Sequence, residues 1–260
     1  QPALMAVSMA AMRALEARGA PVERFASFSA GHSLGEYSAL AAAGALSVGD
    51  AARLLRARGR AMQAAVPVGE GAMAALLGLD LAAAEAVAAE ARAGADGVED
   101  VCAAANDNAP GQVVVSGHRA AVERAAEIAK AKGAKRAMLL PVSAPFHCAL
   151  MAPAAEVMEA ALAETAIAPP RVPVVANVTA APVSDPDEIR ALLVRQVTGA
   201  VRWRESVSAM RAAGVGHLVE IGAGKVLSGM ARRIDKDLSA RAIGAPEDVD
   251  AFVAELEAAG

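Results

Sequence analysis

Ser29-Ala-Gly-His-Ser-Leu-Gly-Glu-Tyr-Ser38 is the segment from which the fold of this 260-residue chain can be inferred. Before it, the short aromatic stretch Phe25–Ser29 is typical of the end of a buried strand. After it, a run rich in alanine and leucine predicts a helix from Glu36 that ends at Gly44. Between the two, Gly31-His-Ser-Leu-Gly35 fits the pattern G-x-S-x-G, in which a serine lies on a sharp turn from strand to helix.

Ser33 is the candidate nucleophile of this turn. We expect Gly31 and Gly35 to relieve crowding around a strained backbone. Such a turn exposes the serine hydroxyl and directs the following N–H groups toward the position where an oxyanion develops. The alternative is a glycine-rich turn without chemistry, but the order strand, turn, helix favours the nucleophile.

The composition limits the class of protein. Hydrophobic residues make up 55% of the chain, but alanine dominates them and aromatic residues contribute only 2%, which indicates many small-residue helices. No run of about 18 strongly apolar residues predicts a transmembrane helix. The net charge of −4, without a basic cluster, argues against nucleic acid as a partner. The two cysteines, Cys102 and Cys148, lack metal-ligand spacing and favour a reducing compartment.

The order of predicted elements divides the chain into a core and an insert. A helix predicted from Ser47 to about Ala65 is followed by Pro67 and several glycines, which mark a boundary. The next strands are predicted at 72–79, 101–105, 112–116 and 136–140, with helices at 82–93 and 119–132 and a turn at 106–111. The order β-α-β-β-α-β is that of the ferredoxin-like fold.

After the insert the core resumes from Pro141. We expect helices at 151–165, 186–197 and 204–213, and strands at 172–178 and 217–221. The segment Gly222-Ala-Gly-Lys-Val226 superficially resembles a phosphate loop. It lacks the spacing G-x-x-x-x-G-K-[ST], which argues against a nucleotide site.

A serine nucleophile needs a base, and the chain has four histidines. His32 is adjacent to Ser33 and would point elsewhere, while His118 and His217 lie beside predicted strands. His147 lies in a proline-containing loop between a strand and a helix, where catalytic side chains are often held. It is therefore the candidate base, with a structural histidine as the alternative. No Asp or Glu stands out as a third member, so a neutral acceptor is the other way to orient the imidazole.

Arg58 occupies an unusual place on the helix that follows Ser47. Each residue turns a helix by about 100°, so Arg58 shares one face with four apolar residues, Ala51, Leu54, Leu55 and Met62. The other arginines of this helix, Arg53, Arg56 and Arg60, fall on the opposite face. A buried guanidinium needs an anion. That anion is either an internal carboxylate such as Glu36 or a substrate carboxylate bound through two hydrogen bonds.

Taken together, the motifs resemble those of the malonyl-CoA:acyl carrier protein transacylases of fatty-acid synthesis. The resemblance extends over essentially the whole chain. Besides the serine segment, it rests on Gln1-Pro-Ala-Leu4, Arg58-Gly-Arg-Ala-Met-Gln63, Gly71-Ala-Met73, Asn106-Asp-Asn-Ala-Pro-Gly-Gln112, Pro141-Val-Ser-Ala-Pro-Phe-His-Cys-Ala-Leu-Met151, Val194-Arg-Gln196, Val201-Arg-Trp203 and Glu220-Ile-Gly-Ala-Gly-Lys-Val-Leu227.

The resemblance implies catalytic roles for four residues. Ser33 would carry the acyl group, and His147 would act as its base. The backbone carbonyl of Gln196 would orient the imidazole, in place of a carboxylate. The N–H of Leu34 would supply half of the oxyanion hole.

The remaining candidates concern the substrate. The resemblance implies that Arg58 binds the malonyl carboxylate and that Asn106 and Gln112 face the cleft. From its place directly before His147, we expect Phe146 to crowd the malonyl α-carbon and to favour malonyl over methylmalonyl groups.

The resemblance also implies the fold and the partners. The expected fold class is α/β, with an α/β-hydrolase-like core around a parallel sheet, at 1–70 and 140–260, and a ferredoxin-like insert at 71–139. Malonyl-CoA and acyl carrier protein are the expected partners, and no cofactor or metal is implied. We expect a cytoplasmic monomer without a membrane partner.

Family members begin with a strand and a Gly-Gln-Gly-Ser-Gln loop, before the point that corresponds to Gln1, and this loop supplies the second oxyanion donor. The chain is therefore expected to be a fragment of a transacylase. Three functions remain open: malonyl transfer to a carrier protein, hydrolysis by a serine hydrolase or thioesterase, and carrier-protein binding by a catalytically impaired fragment. Arg58 and the whole-chain resemblance favour the first.

Overall fold

A computed structural model describes residues 1–94 and 97–259. The chain forms two compact units, one from 1–56, 164–190 and 206–260, the other from 57–163 and 191–205. Helices and short sheets alternate in both, so the predicted α/β class is confirmed. The predicted bounds of the core, 1–70 and 140–260, and of the insert, 71–139, are not tested by this division and remain a prediction.

The described elements follow in chain order. The helices are α1 (Pro2–Ala17), α2 (Val22–Phe25), α3 (Gly35–Ala42), α4 (Val48–Ala64), α5 (Leu81–Glu90), α6 (Arg119–Ala131), α7 (Ala152–Ala163), α8 (Pro186–Thr198), α9 (Trp203–Ala212), α10 (Val226–Ile234) and α11 (Pro246–Ala259). The strands are β1 (Ser29–Ala30), β2 (Gly71–Leu77), β3 (Cys102–Ala109), β4 (Gln112–His118), β5 (Arg136–Leu139), β6 (Val174–Val175), β7 (Pro182–Val183), β8 (His217–Ile221) and β9 (Ser239–Ile243). A 3₁₀ turn at Ala149–Met151 precedes α7. No described helix is both long enough and apolar enough to cross a membrane.

In the first unit, the strands pair as two short sheets. Strand β1 lies parallel to β6, which pairs antiparallel with β7, and β8 lies parallel to β9. The expected parallel pairing is therefore present, but in short pieces. Because neighbouring parallel strands end at the same edge of a sheet, the turns after β1 and β6 lie side by side.

The second unit contains an antiparallel sheet in the order β3-β4-β2-β5. This strand order, together with the chain order β-α-β-β-α-β, matches the predicted ferredoxin-like topology. On one face, a buried cluster that includes Leu76, Val87 and Val122 packs α5 and α6 against the sheet. On the other face, the smaller cluster of Met73, Ala105 and Val114 is partly covered by Phe146.

Three predicted elements differ from the structure. The segment before the serine turn is helical at Val22–Phe25, and the strand is limited to Ser29–Ala30. The strand expected at 172–178 is limited to Val174–Val175, because the chain turns at once: Ala180, with φ +54°, donates its N–H to the Ala176 carbonyl. The turn expected at 106–111 is mostly strand, since β3 continues to Ala109.

Candidate active site

Ser33 lies on a strained turn between β1 and α3. Its φ is +54°, a left-handed conformation that non-glycine residues rarely adopt. A Cβ atom at Gly31 would come within 1.9 Å of the Gly35 carbonyl oxygen, so only glycine fits there. At Gly35 a Cβ atom would meet nothing within 4 Å. Crowding therefore explains the first glycine of the motif, and the expectation for the second was wrong.

The N–H of Leu34 lies at the amino end of α3. Leu34 precedes α3, where helix N–H groups point outward and the helix dipole is positive. Within the described part of the chain, this N–H donates no hydrogen bond. An N–H at this position, directly after the serine, has the chemistry of an oxyanion donor.

Asn177 contacts the serine turn from the end of β6. Its Oδ1 accepts a hydrogen bond from the Ser33 N–H at 2.7 Å, and its Nδ2 donates one to the Gly31 carbonyl at 2.8 Å. The backbone N–H of Asn177 donates to Glu36 Oε2 at 3.1 Å. The candidate residues on the first unit, Ser33 and Leu34, thus lie on a turn that is held by a buried asparagine.

His147 belongs to the second unit and is 97% buried. Its Nδ1 lies 2.9 Å from the Gln196 backbone carbonyl oxygen and 3.2 Å from that of Gly199. Because both neighbours only accept hydrogen bonds, Nδ1 carries the proton and donates it, which leaves Nε2 as the basic nitrogen. His147 has φ +59°, so this orientation is reached through a strained backbone.

Cys148, directly after His147, is a poor competitor for the role of nucleophile. Its Sγ donates a hydrogen bond to the Pro145 carbonyl at 3.2 Å, and burial raises the pKa of its thiol. Burial also raises the pKa of Cys102 to about 11. Both cysteines are therefore neutral thiols at neutral pH, unlike reactive cysteines, whose pKa is lowered.

Arg58 lies on the buried face of α4, as the helical period predicts. Its exposed fraction is 1%, and Ala51, Leu54, Leu55 and Met62 on the same face are buried, while Arg53, Arg56 and Arg60 are exposed. Its Nη2 donates a hydrogen bond to Gln196 Oε1 at 2.9 Å. Gln196, itself fully buried, therefore holds His147 with its backbone carbonyl and Arg58 with its side-chain carbonyl.

Asn106 and Gln112 lie on the face of the sheet that α5 and α6 do not cover. Asn106, 7% exposed, pairs across the sheet with Val114, and Gln112 lies two residues before Val114 on the same strand. Phe146 packs against the cluster that contains Val114 on that face. These three candidates thus share one surface of the second unit, and their roles toward a substrate remain predictions.

The segment after α8 is attached to the edge of β3. Val201 donates its N–H to the Ala105 carbonyl and accepts from the Asp107 N–H, both at 2.9 Å. Nearby, Arg204 forms an ion pair with Asp107 at 2.8 Å, and Asp107 is 2% exposed. The hydrogen bond to Asp107 raises the pKa of Arg204. This attachment fixes the segment that contains Gly199, the second acceptor for His147.

Three of these contacts were not predicted. Asn177, Gly199 and the Asp107–Arg204 pair lie far along the chain from the residues they support, and no motif in the sequence indicates these contacts. A polar residue directly after a predicted strand parallel to β1 would have been the signal for Asn177.

The glycine-rich segment after β8 does not form a phosphate site. The carboxylate of Glu220 accepts hydrogen bonds from the N–H groups of Leu227 and Ser228, at 3.1 and 2.7 Å. The amino end of α10 is therefore occupied by the chain's own anion. Among the described residues, no group of three or more His, Cys, Asp or Glu side chains is arranged to hold a metal ion.

Comparison with known proteins shows one family that matches almost the whole chain. The model of the family described as "Acyl transferase domain" matches residues 1–252. The malonyl CoA-acyl carrier protein transacylase of Escherichia coli strain K12 is 48% identical over 257 residues, which cover 99% of this chain and 80% of that protein. The Bacillus subtilis strain 168 protein of the same name is 43% identical, over 99% of this chain and 78% of its own length.

Solved structures agree with the sequence comparison. The acyl-carrier-protein S-malonyltransferase from Bartonella henselae superposes with a TM-score of 0.94 at 56% identity, covering 99% of this chain and 80% of its own. A malonyl-transacylase solved in complex with a type II polyketide acyl-carrier protein superposes with a TM-score of 0.92 at 43% identity, covering 98% and 80% of the two chains.

Proposed function

This chain belongs to the acyl transferase domain family, and we propose that it transfers malonyl groups from malonyl-CoA to the phosphopantetheine thiol of acyl carrier protein, in fatty-acid biosynthesis. It is an acyl-carrier-protein S-malonyltransferase that works through a malonyl-serine intermediate. The observation that supports this most strongly is the pair of contacts made by Gln196. One residue holds both the candidate base and a buried arginine.

In the first half-reaction, Ser33 Oγ attacks the thioester carbonyl carbon of malonyl-CoA, and His147 Nε2 accepts the hydroxyl proton. The proposal requires Ser33 Oγ and His147 Nε2 to come within hydrogen-bonding distance of each other. The carbonyl oxygen becomes an oxyanion that receives a hydrogen bond from the Leu34 N–H. When the tetrahedral intermediate collapses, the carbon–sulfur bond breaks and CoA leaves with the proton from His147.

The second half-reaction runs the same steps with the carrier. His147 takes the proton of the phosphopantetheine thiol, and the sulfur attacks the malonyl-serine ester. Collapse returns the proton to Ser33 Oγ and releases malonyl-carrier protein. A neutral acceptor for His147 is sufficient here, because a thiol, with a pKa near 8.5, is easily deprotonated and leaves easily.

Arg58 is proposed to select the substrate. A buried guanidinium binds a carboxylate through two parallel hydrogen bonds, which fix the position of the malonyl group. Its contact with Gln196 links carboxylate binding to the residue that orients His147. Asn106 and Gln112 are proposed to line the substrate surface, and Phe146 to limit the size of the acyl group.

The setting of the reaction is also proposed. We infer that the protein acts as a cytoplasmic monomer and binds neither nucleic acid nor membranes. The buried thiols of Cys102 and Cys148 fit a reducing compartment. The oligomeric state is tested by measuring the molar mass with light scattering during gel filtration. A mass equal to that of a dimer would contradict the proposed monomer.

The function is tested by following the malonyl group after the protein is mixed with malonyl-CoA and acyl carrier protein in its phosphopantetheine form. We expect malonyl-carrier protein, detected by mass, to account for the malonyl-CoA consumed. Release of malonate instead would support a thioesterase. Carrier binding without either product would support an impaired binding fragment. His147→Ala should slow transfer by about 10²–10⁴-fold, the usual contribution of a positioned base.

A further inference from the structure

Asn177 supports the serine turn with both ends of its side-chain amide. Oδ1 accepts from the Ser33 N–H at 2.7 Å, and Nδ2 donates to the Gly31 carbonyl at 2.8 Å. Asn177 has an exposed fraction of 0%. One fully buried side chain therefore satisfies a backbone donor and a backbone acceptor on either side of His32.

The turn needs such a partner because it leaves the sheet. Strand β1 pairs with β6 only at Ser29 and Ala30, and Ser33 turns into a left-handed conformation three residues later. Buried backbone N–H and C=O groups beyond the last pair must still be satisfied. A planar side-chain amide presents an acceptor and a donor on the same side, as the N–H and C=O of one residue in a neighbouring strand would.

The position of Asn177 is itself fixed. It follows β6 at the edge of the sheet where β1 also ends, and its turn is closed by hydrogen bonds between Ala176 and the residues at 180 and 181, at 2.9 and 3.0 Å. Its backbone N–H donates to Glu36 on α3, after the serine. Asn177 is therefore tied to the chain both before and after Ser33.

We infer that Asn177 is a positioning residue for the nucleophile, which holds Ser33 in the strained conformation that the reaction uses. This inference rests on the proposed acylation of Ser33. Asn177 acts through the backbone and has no role in binding malonyl-CoA. Its loss should lower the maximal rate of acylation. The malonyl-CoA concentration that gives half of this maximal rate should not change.

Two substitutions and one matched control test this role. Asn177→Ala removes the side-chain hydrogen bonds to Ser33 and Gly31. Asn177→Asp keeps the shape and the acceptor for the Ser33 N–H but replaces the donor to Gly31 with a carboxylate oxygen. Val183→Ala removes buried volume from β7, which pairs with β6, without touching the serine turn.

Two rates are measured for each protein: acylation by malonyl-CoA in a rapid-quench experiment, and labelling of Ser33 by a fluorophosphonate. Melting temperatures are recorded alongside. We expect Asn177→Ala to slow both rates by on the order of 10²-fold, as small misplacements of reacting groups do. Asn177→Asp should also be slowed, and Val183→Ala should melt earlier with both rates unchanged.

The outcomes separate this inference from the proposed function. If Asn177→Ala only melts earlier and reacts like the parent protein, the positioning role is wrong. Where the alanine variant does not fold, unchanged rates for Asn177→Asp would overturn it equally. If the parent protein is labelled by the fluorophosphonate but never by malonyl-CoA, the proposed function fails, and the labelling rates still decide the role of Asn177.

Discussion

Arg58 donates a 2.9 Å hydrogen bond from Nη2 to Oε1 of Gln196, and both residues are almost fully buried. The same glutamine binds His147 through its backbone carbonyl at 2.9 Å. The side chain of Gln196 can therefore be changed while the acceptor for His147 remains in place. A substitution at Gln196 therefore changes the contact with Arg58 and keeps the contact with His147.

Gln196→Glu should act as an internal competitor of the substrate. Its carboxylate would pair with Arg58 and repel the malonyl carboxylate. We expect kcat/KM for malonyl-CoA to fall about tenfold or more, which corresponds to about 1.4 kcal/mol. Gln196→Met, of similar size but without charge, should lose less. Equal losses in the two variants would show that the side chain does not act through charge.

Arg58→Ala should change the choice of substrate. Loss of one partner of a buried charge pair costs about 2–5 kcal/mol, and only malonyl-CoA has the carboxylate. The ratio of kcat/KM for malonyl-CoA to that for acetyl-CoA should therefore fall steeply. Arg56→Ala, on the exposed face of the same helix, is the control and should leave the ratio unchanged. A constant ratio in Arg58→Ala would make Arg58 a structural residue without a role in substrate choice.

Phe146→Ala should relax selection against branched substrates. Phe146 directly precedes His147 in the sequence and packs against the cluster of Met73, Ala105 and Val114. Because one methyl group is worth about 1–3 kcal/mol in a pocket, the preference for malonyl-CoA over methylmalonyl-CoA should drop by roughly ten- to hundredfold. Both substrates are measured on the same protein, so a folding defect cancels in the ratio. An unchanged ratio would exclude Phe146 as the selecting residue.

Asp100 should make stability depend on pH in acid. The hydrogen bond from Arg124, at 2.6 Å, lowers the pKa of Asp100 in the folded protein. A lowered pKa stabilises the fold above the unfolded value of about 3.9, and this contribution is lost as the pH falls through the folded pKa. Urea unfolding should show a difference between parent protein and Asp100→Asn that shrinks below about pH 4. Arg124→Met should reduce this pH dependence, because Arg124 makes the largest contribution among the groups that lower the pKa of Asp100. A difference independent of pH would contradict the assignment.

The sequence predicts features that depend on local periods and local sterics. The buried face of α4, with Arg58 on it, follows from the 3.6-residue repeat. The strained turn at Ser33 and the need for glycine at position 31 follow from the elbow motif. The order of strands and helices in the insert follows from its local sequence patterns, because these strands and helices pack mainly against one another.

What the sequence does not predict depends on contacts between distant segments. Strand β3 continues through Asn106 to Ala109 by pairing with β4, and Val201 pairs with its other edge. Nothing near Asn106 in the sequence indicates this second partner. Asn177 reaches the serine turn across 144 positions of sequence. Strand β6 is shorter than its run of valines indicates, because the turn that presents Asn177 begins at once.

The most direct test of malonyl transfer through Ser33 is the intact mass of the protein after brief mixing with malonyl-CoA, with no carrier protein present. The parent protein should gain one malonyl group, which a peptide map places on Ser33. Ser33→Ala should gain none, and addition of carrier protein should remove the group from the parent protein. A malonyl adduct that persists in Ser33→Ala would contradict the account.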